Sequence, residues 1–581
     1  MNNIEQDMAH PALENDRAIA GKTNPFRRMW KYRLHYAIVL PALLLVAYFK
    51  AIPLLQSLYA SFVDFRLIQG FWDSPGAGMA NFKHMFDNPD FLPILRNTLQ
   101  IKLMYTACCG IAALILALAI GAFNGVRSRG AITTLFLLPY FIPSLIFAYM
   151  AMLAFSADRS PFGLHAMVWA RPELFKPMYL FVEIVKTIGI PTVIAVAAIG
   201  ARHAADGIEA GRNVQRGTWT RLNLVPAARA VTAFMLMQFS AVLATNFELL
   251  HALVNPLVFQ TGDTIETYRF RMLFQNMDLN TEGPLATLQF LLQFICSVGA
   301  YFIIRRMFAR DVRTPHNEEA GRMQAAGRAN RAAGGVVILL FALPVLAVLY
   351  VLLIYPYTIR NEGPGLSTLL SVSQYVKYLF IYLASSAVFM LITLTLSFPL
   401  TVKDLPGRRL YTGFLLAIMS AGSVSFFDFM LLKDLGLINS VVALYITGFF
   451  SILPIFVLSS IYTGKHGALR ERYAGRGEAF MFFRLYVPRV WKPLLGLGAM
   501  QFVAMWNGIY APMIYISNPN LFPPSMRFMI AQSAMQADGL TYGPATLLQL
   551  GALIALPSLV VLLSMRRWLT AEVLAGQVRQ L

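Results

Sequence analysis

The sequence predicts an all-α polytopic membrane protein, with about 12 transmembrane helices in two pseudo-symmetric six-span halves. Three observations predict it. Of 581 residues, 57% are apolar and 13% charged, and mean hydropathy is +0.58. That is roughly half the charge of an average soluble domain, which disfavours a cytosolic enzyme, a disordered chain and a disulfide-framed secreted domain together. Uncharged runs near the ~20 residues that a bilayer-crossing helix needs recur along the chain. They are too long and too evenly apolar for barrel strands. Finally, the net charge of +19 sits on one side of the resulting map.

The runs, in order, are 34–63 (which passes through Lys50), 103–126, 131–157, 178–201 (which includes Glu183 and Lys186), 230–247 and 283–304 in the first half. The second half holds 332–359, 378–402, 410–427, 435–464, 493–525 and 539–564. The implied organisation is an N-terminal arm (1–33), a first half (34–304), a linker (305–334), a second half (335–565) and a tail (566–581). With the arm inside, the arm, tail and inner loops hold 33 Lys and Arg against 13 Asp and Glu; the rest holds 15 against 16. This is the positive-inside signature, and it predicts a multi-pass protein of a bacterial inner membrane with both termini cytoplasmic. Charge spread over seven inner pieces has no nucleic-acid face, so membrane lipid is the expected surround and nucleic acid is not a partner. A polar arm precedes the first apolar run, so no cleavable signal peptide is expected. Cys108, Cys109 and Cys296 lie inside runs and suit neither a disulfide frame nor a metal site.

The chain repeats itself. Arg221-Leu222, Met237-Gln238-Phe239 and Asn255-Pro256 recur 263 residues later as Arg484-Leu485, Met500-Gln501-Phe502 and Asn518-Pro519. Val225-Pro226 and Val487-Pro488 recur one residue out of that register. Two six-span copies imply a transporter with a site near the midplane between them. Either an ATP-driven importer or an ion-coupled secondary transporter of the major facilitator type fits that plan. Asp404-Leu-Pro-Gly407-Arg408-Arg409 is similar to the latter's short inner motif, and to any basic inner turn. A membrane-embedded glycan-processing enzyme is a third class; no loop concentrates the carboxylates, His clusters or nucleophile it needs.

Two inner loops, at about 202–226 and 464–488, mix Gly, Arg and Glu with spaced apolar residues and end in Val-Pro. Such a loop suits a short helix that seats in a partner's cleft and transmits a push; the plainer reading is an amphipathic helix on the membrane surface. Gly475-Arg-Gly-Glu478-Ala-Phe480-Met-Phe-Phe483-Arg484-Leu-Tyr-Val-Pro488 resembles the ATPase-docking loop of ABC importer permeases, with Gly thirteen residues before Pro. The first loop is a more degenerate copy, with Glu209, Asn213 at the Gly position, Arg216 and Trp219. Both lack the family's Glu-Ala-Ala.

The resemblance extends along nearly the whole chain after residue 30. Gly70-Phe-Trp-Asp-Ser-Pro75, Phe247-Glu248-Leu-Leu-His-Ala-Leu-Val-Asn255-Pro256 and Asp263-Thr-Ile-Glu266 are similar to one subunit of the type I, binding-protein-dependent carbohydrate ABC importer permeases. Phe398 to Arg409, Leu432-Lys-Asp434-Leu-Gly436 and Trp506-Asn507 resemble the partner subunit of oligosaccharide systems of the aldouronate type. The resemblance implies two permease subunits fused in one chain that translocates an oligosaccharide by alternating access. It implies two copies of a cytoplasmic ABC ATPase and an extracytoplasmic solute-binding protein as partners. ATP and Mg then belong to the ATPase, and this chain carries no cofactor, metal or catalytic residue. Gly21-Lys22-Thr23 mimics a P-loop end, but Asp16 stands where its first Gly is needed.

Ionisable residues in spans are costly and so are functional candidates. Glu248, Asp428, Lys50, Lys102, Glu183 and Lys186 qualify, though snorkelling, or a Glu183–Lys186 pair one turn apart, is the ordinary explanation for most. Asn246 and Glu248 map by the 263 offset onto Ile509 and Ala511, beside Trp506, Asn507 and Tyr510. Hydrogen-bonding side chains and flat rings suit a sugar, so these five, with Tyr140, are the expected substrate path. Helix packing is the competing role for the aromatics.

Overall fold

The computed structural model describes residues 30–578 except 31, 67, 71, 124, 165–166, 211–217, 309–327, 360–363, 403–404, 423–425, 474–475 and 539–541. Among the described residues it is helical, with one isolated bridge, Val63 to Gly76, in place of any sheet. Among the described residues, seven helices are long and apolar enough to cross a membrane: Arg33–Ala60, Phe91–Gly121, Thr220–Phe239, Leu279–Ile304, Arg328–Tyr357, Val372–Thr401 and Pro544–Met565. Two further spans are bent pairs. Val126–Phe141 meets Ser144–Ala154 at 93°, and Pro172–Thr187 meets Gly189–Asp206 at 50°.

The remaining three apolar runs also fold as helices, but interrupted or less apolar ones. The 410–427 run divides into Arg408–Met419 and Phe426–Asp434. Leu453–Arg472 carries its charges in its last turns, from Lys465 onward, and Val487–Asn507 carries Arg489, Lys492 and Gln501.

The bends have causes in the sequence. Pro139 and Pro143 flank the first, where neither ring can donate to a helical ladder. The second bend nests against it at Gly189. A Cβ on Gly189 would lie 2.2 Å from the Phe136 carbonyl oxygen, so only glycine lets the two chains approach so closely.

The repeat at offset 263 is visible as matched irregularities. A π-helical turn, Thr220–Leu224, leads into the Val225-Pro226 helix, and another, Met481–Tyr486, leads into Val487-Pro488. Proline fits a first helical turn, whose N–H groups lack partners anyway. Each helix then stops short. The first ends at Phe239 and the chain resumes as Phe247–Leu253; the second ends at Asn507 and resumes as Tyr510–Tyr515. Buried Gln238 and Gln501 hold equivalent places, donating to the carbonyls of Val578 (2.7 Å) and Gly448 (2.9 Å).

A polar cavity where broken helices meet

Broken helices leave backbone N–H and C=O groups unpaired inside a membrane, where each needs a partner. Here the three breaks supply one another. The 93° bend frees the carbonyls of Phe141 and Ile142. The first accepts from Asn507 Nδ2 at 3.2 Å, and the second from the Lys186 ammonium. The break after Asn507 frees the Ile509 N–H, which donates to Glu248 Oε1 at 2.7 Å. The Gly508 carbonyl accepts from Ser525 Oγ. Asn246 caps its own short helix, taking the Leu249 N–H at 3.2 Å. Groups from both halves are thereby tied together through hydrogen bonds that apolar packing alone could not form.

Around this junction lies a cavity of about 280 Å³, lined by Tyr140, Ser144, Lys186, Thr245, Glu248 and Asn507 among others. Thr245 also borders a larger cavity of about 450 Å³, where Lys50, Glu266, Arg269, Asp428 and Tyr510 project. Three of these charges have direct partners: Lys50, Asp428 and Arg269. Lys50 Nζ lies 3.1 Å from Asp428 Oδ1, a contact between the halves, and Arg269 is held by Glu282 at 2.5 Å and Gln289 at 2.6 Å.

Of the six expected path residues, Tyr140, Asn246, Glu248 and Asn507 share the smaller cavity, and Tyr510 faces the larger one. Tyr510 packs edge-on against Phe247, with ring centroids 4.6 Å apart. Trp506 lines neither cavity. Its indole is buried between Tyr375 and Tyr382 and donates to the Ile554 carbonyl at 2.7 Å, so its role here is packing. The Glu183–Lys186 pairing gives way to the Lys186–Ile142 contact, because a freed carbonyl lies within reach of the ammonium. Ser144, Thr245, Glu266 and Arg269 were not among the path residues expected from sequence, although Glu266 lies in a stretch that carries the resemblance. The signal available was Pro139 and Pro143, which announce a break and hence a demand for donors.

On the basic ends of the helices, Asn213, Arg216 and Gly475 fall outside the described residues, as does the Glu209 side chain. Trp219 is 56% and Phe483 64% exposed. The other two phenylalanines of the second loop turn inward. Phe482 is buried against Phe398, and Phe480 rests on Tyr473 with the Arg476 guanidinium 5.0 Å from its ring. Glu478 reaches back to the first helix, its Oε2 2.9 Å from His35 Nδ1.

No family model matches the chain. Protein LplB of Bacillus subtilis (strain 168) is 27% identical over 283 residues, covering 47% of this chain and 87% of LplB. The polygalacturonan/rhamnogalacturonan transport system permease protein YteP, of the same organism, is 23% identical over 246 residues, covering 40% of this chain and 75% of YteP. A solved bacterial ABC transporter involved in the import of the acidic polysaccharide alginate aligns over 48% of this chain and 98% of its own, at 22% identity and a TM-score of 0.42. The helical fold with several membrane-length apolar segments agrees with the similarity to LplB and to the permease YteP: the chain resembles the permeases of carbohydrate ABC importers.

Proposed function

We propose that this chain supplies both transmembrane halves of a binding-protein-dependent importer and carries an oligosaccharide inward across a bacterial inner membrane. The observation that carries the reading is the polar cavity pair built from helix breaks of both halves, bridged by Glu248 and Ile509. Discontinuous helices at an interface between halves are where transporters place a substrate. The lengths support two fused permease units, since each curated match covers most of its relative but less than half of this chain. YteP's name, which specifies a polygalacturonan/rhamnogalacturonan transport system, supports a carbohydrate as cargo.

In this reading an extracytoplasmic solute-binding protein delivers the sugar. Two copies of a cytoplasmic ABC ATPase, holding ATP and Mg, seat on the loops at 202–226 and 464–488. Trp219 and Phe483 are then the exposed rings that enter the ATPase clefts. Closure of the ATPases moves the two loops and rocks the halves about the Glu248–Ile509 contact, opening the cavities alternately to each side. Both termini lie in the cytoplasm.

The test is uptake by vesicles that hold the chain with its ATPase and binding protein. Labelled oligosaccharide should enter only with internal ATP and binding protein, and a protonophore should leave uptake unchanged. Uptake by the chain alone, driven by an ion gradient, would overturn the reading in favour of a secondary transporter.

A further inference from the structure

The segment that follows the last span is buried inside the molecule. Beyond Arg566 the chain turns back, and Leu569, Val573, Leu574, Gln577 and Val578 are all 0% exposed. Its short helix, Ala571–Ala575, packs on Gly189–Ala210 from the first half and on Leu453–Arg472 and Val487–Asn507 from the second. The first two of these helices lead directly into the two docking loops. Gly496 makes room for the segment: a Cβ there would stand 2.7 Å from the Trp568 carbonyl and 3.2 Å from Val573 Cγ1. Glu572 lies 3.6 Å from Lys465, and the Val578 carbonyl accepts from Gln238. Gly576 forms part of the wall of the larger cavity. The segment therefore runs from the basic end of the last span up to that cavity, filling the space between the halves.

The contact is also imperfectly satisfied. The Gln577 amide is wholly buried, and neither its oxygen nor its nitrogen has a hydrogen-bond partner among the described residues. Burial of that kind costs free energy, which suits a contact that opens more than one that only holds the fold. The half-exposed Lys465–Glu572 pair adds little restraint.

We propose that residues 570–578 are a plug, closing the pathway beneath the larger cavity in this state and withdrawing in each transport cycle as the flanking helices separate. The proposal rests on the importer reading above.

The test uses the complete importer in vesicles with its ATPase and binding protein. Val573→Cys is close to isosteric and should react slowly with a water-soluble maleimide at rest. Under ATP turnover the rate should rise about tenfold, as a minor open state becomes a major one. A rate that stays low during full-speed uptake overturns the plug. A second variant pairs Gly576→Cys with Leu497→Cys, since a Cβ at 576 would lie 3.2 Å from Leu497 Cδ2. Oxidation should abolish uptake and reduction restore it; cross-linked protein that transports as fast as reduced protein overturns the proposal. If the unsubstituted complex takes up no sugar, the importer reading falls instead.

Discussion

Both halves break a helix at overlapping places in the repeat and resume it at the same position, Phe247 and Tyr510, yet they use the break differently. In the first half the gap spans 240–246, and the helix that follows carries Glu248 in its first turn. In the second half the gap is 508–509, and the positions related to Asn246 and Glu248 are Ile509 and Ala511. The first half thus presents a carboxylate and the second a bare backbone N–H, and the two meet at 2.7 Å. A symmetric pair would need a second carboxylate at 511 facing the first half. A charge-assisted bond is roughly twice as strong as a neutral one, so one such contact can bridge the halves. Duplication supplied the two breaks, and divergence left one carboxylate latch there, beside the Asn507–Phe141 and Lys50–Asp428 contacts between the halves.

The largest expected effect comes from removing that latch. Glu248→Ala leaves the Ile509 N–H buried without its acceptor, at a cost of about 1–3 kcal/mol. Uptake at matched expression should fall roughly five- to hundredfold, each 1.4 kcal/mol being about tenfold. Glu248→Gln keeps an acceptor oxygen and should recover part of the loss. Asn507→Ala, in the second half, frees the neutral Phe141 carbonyl and the Ser558 hydroxyl that donates to Asn507 Oδ1 at 2.8 Å; neither bond is charge-assisted, so a smaller loss than at Glu248 is expected. Equal losses at 248 and 507 would break the comparison and show that the two sides of the junction contribute alike.

The apolar runs, the 263-residue offset and the Val-Pro helix starts after the two long loops were legible because each is a one-dimensional pattern. The lining of the two cavities was legible only in part. In a soluble helix a polar stripe marks the face turned to water. A membrane helix is apolar all round, so sequence does not tell which face points to a cavity. Trp506 illustrates this, since an aromatic beside Asn507 reads equally as a sugar platform or as packing, and the structure puts it against Tyr375 and Tyr382. Lys186 shows the converse. Its partner, Ile142, is distant in sequence and became available only through a bend at Pro143.

The two loops proposed to dock the ATPase repeat the contrast at the basic ends. Each exposes one large ring, Trp219 in the first loop and Phe483 in the second, whereas Phe480 and Phe482 turn to the permease. Full burial of such a ring is worth about 1.5–3 kcal/mol, and partial burial in an ATPase cleft correspondingly less. Trp219→Ala and Phe483→Ala should each weaken capture of the ATPase, by about tenfold at 1.4 kcal/mol. Phe480→Ala should weaken it less, because part of that ring already rests on Tyr473. Pull-down of the ATPase by each variant, at matched expression, makes the comparison. A stronger loss from Phe480→Ala than from Phe483→Ala would mean that the second loop turns over on docking.

The smallest effect separates anchoring from docking within the second loop. Glu478 touches the buried ring of His35, which stacks on Phe398 at 4.4 Å, so this carboxylate ties the loop to the first transmembrane helix. The first loop's Trp219 stands exposed at the start of its π turn. Glu478→Gln keeps the size of the side chain and one acceptor oxygen, and about 0.5–1 kcal/mol of hydrogen-bond strength should be lost. In a chain of this length that lowers the midpoint of thermal unfolding by no more than about 2 °C, measured on the detergent-solubilised permease. ATPase capture should be unchanged, because the carboxylate faces the permease. If Glu478→Gln reduces capture as much as Phe483→Ala while the unfolding midpoint stays where it was, the His35 contact does not anchor the loop. Glu478 then acts on the ATPase directly, and the second loop differs from the first by its docking chemistry alone.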